Sequence, residues 1–394
     1  MKKILFVIES LHIGGAEKSL VTLLNLLDYS ELQVDLLLFS EDGEFKELLP
    51  KEVNVLPIPD YFGYCSVPWS SVFLKMKKPR FLLSQLLYSC VIRFGRYSNI
   101  HLAVLFWKCC HFCFHEMQKD YDFAIAYAHG VPTFFVADKI TAKKKVAWVN
   151  AIYTPERRDI KYIGKKYDTI DLVNCVTDAV KEQLQQTFGF SEEKMCAIMD
   201  IVDETTILKM AEMPSEADNE MNCDVIKILT VGRYAHMKGY ELAIEAAKIL
   251  KDRGVKFKWF AVGEGNMRPQ MELDIERFHL QNEFILLGSR ANPYPYFRKC
   301  DIYVQPSTFE GFGITLAEAK VFNKPIVVTN FDAVRTQFEN EKNGLIVDIS
   351  SIAIAEGIEK MINNHELRNK CVDNLSKEQR GNRKELKKFI ELIG

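Results

Sequence analysis

Short apolar runs alternate with helical patterns twice over in this chain of 394 residues, and that double alternation limits its fold more than any other feature. In the first half the runs are KILFVIE, VDLLLF, VNVLPI, DFAIAYA, VAWVN, DLVNCVT and MCAIMD; the second half has IKILTVG, KFKWFAVG, FILLG, IYVQPS, PIVVTN and GLIVD. Continuous β-branched runs of this length are strands buried on both faces, as in a parallel sheet covered by helices. Leu20, Leu23, Leu24 and Leu27 recur at helical spacing in the first half, as do Tyr240, Ala243, Ile244, Ala247 and Leu250 in the second. The fold class is therefore α/β, with two Rossmann-like doubly wound domains at 1–205 and 206–375. A carboxyl-terminal helix at 376–394 is free to return to the first domain. The acidic stretch PSEADNEMNCD (214–224) lacks apolar periodicity and reads as the linker.

Composition removes several classes of function. With 48% hydrophobic and 26% charged residues the chain is ordinary globular material, and a formal charge of −2 argues against a nucleic-acid partner. The apolar run in MKKILFVIES is too short for an export signal, so it reads as a first strand. No stretch approaches the roughly 18 apolar residues of a membrane span. Ten cysteines without repeated spacing suit free thiols in a reducing, cytoplasmic compartment.

Ligands of doubly wound domains sit beyond the carboxyl ends of the strands, so the loops there are the candidates for function. ESLHIGGAEKSL holds Gly14 and Gly15, which let backbone N–H groups approach a phosphate, although a tight strand-to-helix turn explains them equally well. VGRYAHMKGYE places Gly232, Arg233 and Lys238 after the first strand of the second half. There a guanidinium and an ammonium can converge on one diphosphate, or else lie solvated on the surface. In STFEGFGITLAEAKVF, Phe312, Gly313, Ile314 and Thr315 start a helix whose free N–H groups suit diphosphate oxygens. The carboxylates framing it need hydroxyl partners instead. Glu310 can reach a sugar beside the phosphate, and Glu318 both hydroxyls of a ribose, since an unpartnered carboxylate in that apolar run is costly. Arg290, in LLGSRANPY, lies on a loop suited to reading a nucleobase edge, whereas VGEGNMRP (262–269) reads as a turn.

GGAE after the first strand, GR-x-x-x-x-KG after the eighth, and the two glutamates of FEGFGITLAEA together resemble the retaining glycosyltransferases of family 4, with the GT-B fold, which build bacterial surface polysaccharides. The resemblance implies two domains facing each other across a cleft, a nucleotide-diphosphate-sugar donor held mainly by the second, an acceptor held mainly by the first, and no cofactor or metal. It implies that Arg233 and Lys238 offset charge on the leaving diphosphate, Glu318 holds the ribose, Glu310 contacts the transferred sugar, and Gly14 and Gly15 border the phosphates. Many relatives carry a histidine where this chain has Asn150, on the acceptor side. An amide exchanges no proton near neutrality, and His129, ending AIAYAHG, is the candidate to compensate. Asp200 stands where relatives have asparagine. Two other readings stay open: a nucleotide-sugar 2-epimerase of the same fold, and a non-catalytic nucleotide-sugar-binding pseudoenzyme.

Between 75 and 117 the basic residues Lys75, Lys77, Lys78, Arg80, Arg93, Arg96 and Lys108 face only Glu116, interleaved with FLLSQLLY, CVIRF and LAVLFWKCC. Such a helical insertion suits peripheral contact with an anionic membrane near a lipid-linked acceptor, or else simply packs on the first domain. The run CCHFCFH is not expected to hold zinc, because helical spacing spreads its ligands around the axis.

Overall fold

The computed structural model describes residues 1–67, 76–93, 99–152, 154–378 and 381–394. Each apolar run forms a strand: β1 (Lys2–Ile8), β2 (Leu32–Leu38), β3 (Asn54–Leu56), β4 (Met117–Ala126), β5 (Ile140–Val149), β6 (Leu172–Cys175) and β7 (Met195–Ala197), then β8 (Ile226–Val231), β9 (Phe257–Val262), β10 (Phe284–Gly288), β11 (Ile302–Gln305), β12 (Ile326–Thr329) and β13 (Leu345–Val347). β4 and β5 begin several residues before their apolar runs, on stretches where Asp120, Thr141, Lys143 and Lys144 are exposed.

The first sheet has the order β3-β2-β1-β4-β5-β6-β7 and the second β10-β9-β8-β11-β12-β13, with every pairing parallel. Both run outward from their first strand and then reverse. The switch points lie between β1 and β4 and between β8 and β11, where loops diverge and leave a crevice at the carboxyl ends. In the second sheet this puts the loops after Val231 and after Gln305 side by side, the two that carry Arg233, Lys238, Glu310 and Glu318.

The chain divides into two compact units, residues 1–200 with 385–394, and residues 201–384. The stretch 214–224 does not separate them, a correction to its reading as a linker. It lies inside the second unit, where Ala217–Glu220 is a short helix whose carboxylates are committed to ion pairs. The helix Lys384–Ile393 packs on the first unit. Its Phe389 is fully buried, 6.1 Å from the ring of Phe6, and the Lys2 ammonium donates to the carbonyl of Ile393 at 2.8 Å. The core of the second unit is built around Trp259, Tyr240 and Ile244. Trp259 donates its Nε1 proton to Thr230 at 3.0 Å, so the large side chain is buried without an unpaired polar atom.

Candidate active site

The turn after β8 is shaped by Gly239 at φ +67, where an added Cβ would lie 1.9 Å from the carbonyl oxygen of Pro306. Only glycine permits this approach of the 236–239 turn to the loop after β11, which is further pinned by the N–H of Thr308 donating to Met237 at 2.9 Å. The approach joins two motifs 72 residues apart. Lys238 donates to both oxygens of Glu310, at 2.7 and 2.8 Å, and Glu310 is 8% exposed. Gln305 and Ser307 also donate to Glu310 Oε1, at 2.9 and 2.8 Å, so the carboxylate is fixed by three donors. Gln305 is oriented in turn by Tyr303, whose hydroxyl donates to its Oε1.

Such a pair is costly to break. Removing one partner of a buried ion pair typically costs 3–5 kcal/mol, and about 2–3 kcal/mol is expected here because Lys238 keeps part of its side chain in solvent. Arg233 is different: it is exposed, and its side chain has no hydrogen bond or ion pair among the described residues. The helix after the Gly-Phe-Gly turn is Ile314–Val321, with Gly313 preceding it at φ +77. The amide N–H groups of Ile314 and Thr315 therefore open towards the same crevice as Lys238. Gln337 donates to the carbonyl of Phe312 and ties down this turn. Glu318 is 2% exposed on that helix and accepts from the Tyr294 hydroxyl at 3.0 Å. Arg290 is drawn into a separate cluster, paired with Glu216 at 2.9 Å and Glu220 at 2.8 Å and donating to the Tyr296 hydroxyl at 3.0 Å.

At the corresponding end of the first unit, the loops after β1 and β2 expose Glu9, Glu41, Asp42 and Glu44, whereas Ser19, Tyr127 and Asp200 are buried. Gly14 precedes the helix Gly15–Leu26 in an extended conformation, φ −159, which any residue adopts. An added Cβ there would lie 2.1 Å from Glu17 Oε2, so the carboxylate of the first helical turn already folds over the glycines. Beyond β4, the Tyr127 hydroxyl and Ser19 lie 2.9 Å apart, and Ser19 hydrogen-bonds Asp200. Burial pushes the Asp200 carboxyl up to about 6. His129 has its Nδ1 buried, and desolvation pushes its imidazole down to about 4, so it is neutral at pH 7. Asn150 donates to the carbonyl of Tyr127 at 2.8 Å, and its buried Oδ1 accepts from no described residue. Among the described residues one group offers metal-ligand spacing: His101, Glu156 and Asp159, with His101 Nδ1 and Asp159 Oδ2 2.5 Å apart.

Sequence reasoning missed Gln305, Ser307, Tyr294, Ser19 and Tyr127. A signal was present for two of them, since Gln305 and Ser307 interrupt an apolar strand end and are almost fully buried.

Two parallel sheets with matching switch points, the second furnished with cations, a fixed carboxylate and a helix start, define the GT-B class. The chain superposes over 100% of its length on 99% of an Anabaena protein, HepE in complex with UDP and glucose, with TM-score 0.72 at 19% identity. Residues 215–378 match the family of glycosyl transferases group 1. The chain is 26% identical over 373 residues, 93% of its length and 92% of the relative's, to the N-acetylgalactosamine-N,N'-diacetylbacillosaminyl-diphospho-undecaprenol 4-alpha-N-acetylgalactosaminyltransferase of Campylobacter jejuni. It is 20% identical over 335 residues, 84% of its length and 79% of the relative's, to the putative glycosyltransferase EpsF of Bacillus subtilis. Residues 215–378 thus carry the group 1 glycosyl transferase match, and the chain as a whole has the GT-B fold.

Proposed function

We propose that the chain is a retaining, metal-independent hexosyltransferase that moves a sugar from a nucleotide-diphosphate-sugar to a lipid-linked glycan during assembly of a surface polysaccharide or glycolipid. It would work in the cytoplasm, at the inner face of the cell membrane and in peripheral contact with it. Among the described residues no helix is long and apolar enough to cross a membrane. The observation that carries the reading is the convergence of Lys238, Glu310 and the start of the helix Ile314–Val321 at one switch point. Support comes also from the Campylobacter relative, named for transfer to a diphospho-undecaprenol glycan.

The chemistry needs these parts. As the bond from the anomeric carbon to the diphosphate breaks, negative charge grows on the leaving oxygens, and fixed positive groups already in place stabilise it without reorganising. Arg233, exposed and unengaged, meets the diphosphate directly. Lys238 meets it from its seat on Glu310, and the N–H groups of Ile314 and Thr315 complete the cradle. Charge on the sugar has the opposite sign, so the Glu310 carboxylate belongs beside it. Glu318 holds the ribose from the helix interior.

The test is to incubate purified protein with a panel of nucleotide-sugars and a diphospho-polyprenol glycan, and to read the anomeric coupling of the product by NMR. An α-linked product from an α-configured donor supports the reading. A β-linked product overturns retention, inversion at sugar C2 without transfer favours the epimerase, and tight binding without turnover favours the pseudoenzyme.

A further inference from the structure

The insertion between 75 and 117 consists of two helices with opposite characters, and Lys75 and Arg96 lie outside the described residues. The helix Asn99–Cys110 is a packing element: Val104, Trp107 and Cys110 are buried, and Trp107 donates to Asp138 at 2.8 Å. Its Lys108 lies 4.6 Å from the ring centre of Tyr162.

The helix Pro79–Arg93 is apolar on both faces. Phe81, Ser84 and Tyr88 look inward: the Phe81 ring is 5.3 Å from that of Tyr61, Tyr88 is 5.4 Å from Phe106, and Ser84 donates to the carbonyl of Cys109 at 2.6 Å. The opposite face presents Leu83, Leu86, Leu87 and Cys90 at helical spacing, and the three leucines are 54%, 45% and 45% exposed. Met76, before the helix, and Ile92, at its end, are exposed as well. A helix apolar all round is ordinarily covered all round, and a contiguous apolar patch on a soluble surface marks an interaction site. Charge indicates the kind of cover. The segment MKKPRFLLSQLLYSCVIR contains no aspartate or glutamate, and Lys77, Lys78, Arg80 and Arg93 are all exposed around the leucines. Among the described residues, Lys78 is the one of these cations in an ion pair, with Asp60 at 2.9 Å.

We infer that the outward face of the helix Pro79–Arg93 docks on an anionic lipid bilayer, its leucines seated between headgroups and Lys77, Arg80 and Arg93 held by lipid phosphates. A leucine stripe with a basic, acid-free rim fits that surface, because the bilayer supplies both an apolar layer and negative charge. The choice of partner rests on the lipid-linked acceptor proposed above. The aromatic residues of the segment take no part, since they are engaged in packing on the first unit.

The full chain is tested by co-sedimentation with vesicles of phosphatidylcholine, with and without phosphatidylglycerol. Binding is expected only to the anionic vesicles, and should weaken as salt rises from about 0.1 M to about 1 M, where the screening length falls from about 10 Å to about 3 Å. Each exposed cation removed is expected to lower partitioning about fivefold, so Lys77→Gln, Arg80→Gln and Arg93→Gln together should lower it on the order of 100-fold. Leu83→Ser, Leu86→Ser and Leu87→Ser together should lower it roughly tenfold or more. These side chains are exposed, so unchanged thermal unfolding of both variants is expected and is measured alongside. Absence of vesicle binding, or binding that neither triple variant weakens, overturns the proposal. So does a dimer that dissociates in the leucine variant, with no vesicle binding, which would assign the face to a second copy. Nucleotide-sugar turnover in solution separates this claim from the functional one: turnover without vesicle binding overturns only the docking face, and vesicle binding through this face without turnover overturns only the transferase.

Discussion

The carboxyl end of the second sheet and that of the first solve opposite electrostatic problems. Around Lys238 and Glu310 full charges are kept and held by one another, with Gln305 and Ser307 sharing the carboxylate. Around Tyr127, burial works against charge: the Asp200 carboxyl is pushed up, the His129 imidazole is pushed down, and the amide Asn150 lies nearby. The first arrangement suits a group whose charge grows during reaction, and the second suits a neutral hydroxyl-bearing acceptor. A low-dielectric surrounding strengthens fixed charges that are paired and suppresses those that are not.

The largest effects should separate Arg233 from Lys238. Arg233→Ala and Lys238→Ala are each expected to reduce turnover by ~10²–10³-fold, the range for losing a fixed charge-stabilising donor. Only Lys238→Ala should also destabilise the fold, by about 2–3 kcal/mol in urea unfolding, because it strands Glu310. Equal stability losses in the two variants would break the distinction between a free cation and a seated one.

The first unit should show its desolvation as a pair of opposing pH dependences. The folded His129 titrates near 4 against 6.5 unfolded, so the unfolded state binds more protons in that window and its contribution to stability is lost as pH falls from 6.5 towards 4. Folded Asp200 titrates near 6 against 3.8, so its contribution is present below 3.8 and lost as pH rises through 6. Each amounts to about 3 kcal/mol, and the two largely cancel. Asp200→Asn should therefore make stability rise with pH between 4 and 6.5 relative to the parent, and His129→Gln should make it fall, as read from urea midpoints. His129→Gln is also expected to leave the pH–rate profile near neutrality unchanged, because the ring it removes carries no proton to exchange there.

Much of this contrast was legible in the sequence, but unevenly. The strands were readable because parallel sheets buried on both faces need continuous β-branched runs, and Arg233, Lys238, Glu310 and Glu318 were singled out because charge at such strand ends has few other uses. What pairs with what was not legible. The contact between Lys238 and Glu310 depends on Gly239 admitting the Pro306 carbonyl, a long-range approach that no local pattern encodes. Arg290 illustrates the converse: on a strand-end loop its position suggested a ligand, while its partners Glu216 and Glu220 sit in a stretch that looked like linker. Gly14 and Gly15 were ambiguous between turn and ligand, and the placement of Glu17 over Gly14 shows the local function that the pair already serves.

Smaller effects sharpen the roles within the second unit. Glu318→Gln should weaken a bare nucleoside diphosphate roughly tenfold in calorimetry, the scale of losing a charge-assisted hydrogen bond, and should cost some stability through Tyr294. The smallest effect expected is that of EDTA. Chelation should leave turnover unchanged if the cations and the helix start supply the positive charge, and activity abolished by EDTA and restored by Mg²⁺ or Mn²⁺ would overturn the metal-free account.

The central claim is that Glu310, although seated on Lys238, serves the sugar, while Arg233 serves the diphosphate. Calorimetric titration of the parent, Arg233→Ala and Glu310→Gln with the bare nucleoside diphosphate and with the matching nucleotide-sugar tests it directly. The account predicts that Arg233→Ala loses at least tenfold in affinity for both ligands, while Glu310→Gln keeps the bare nucleotide within about threefold and loses transfer. Equal weakening of the bare nucleotide by both substitutions would contradict it.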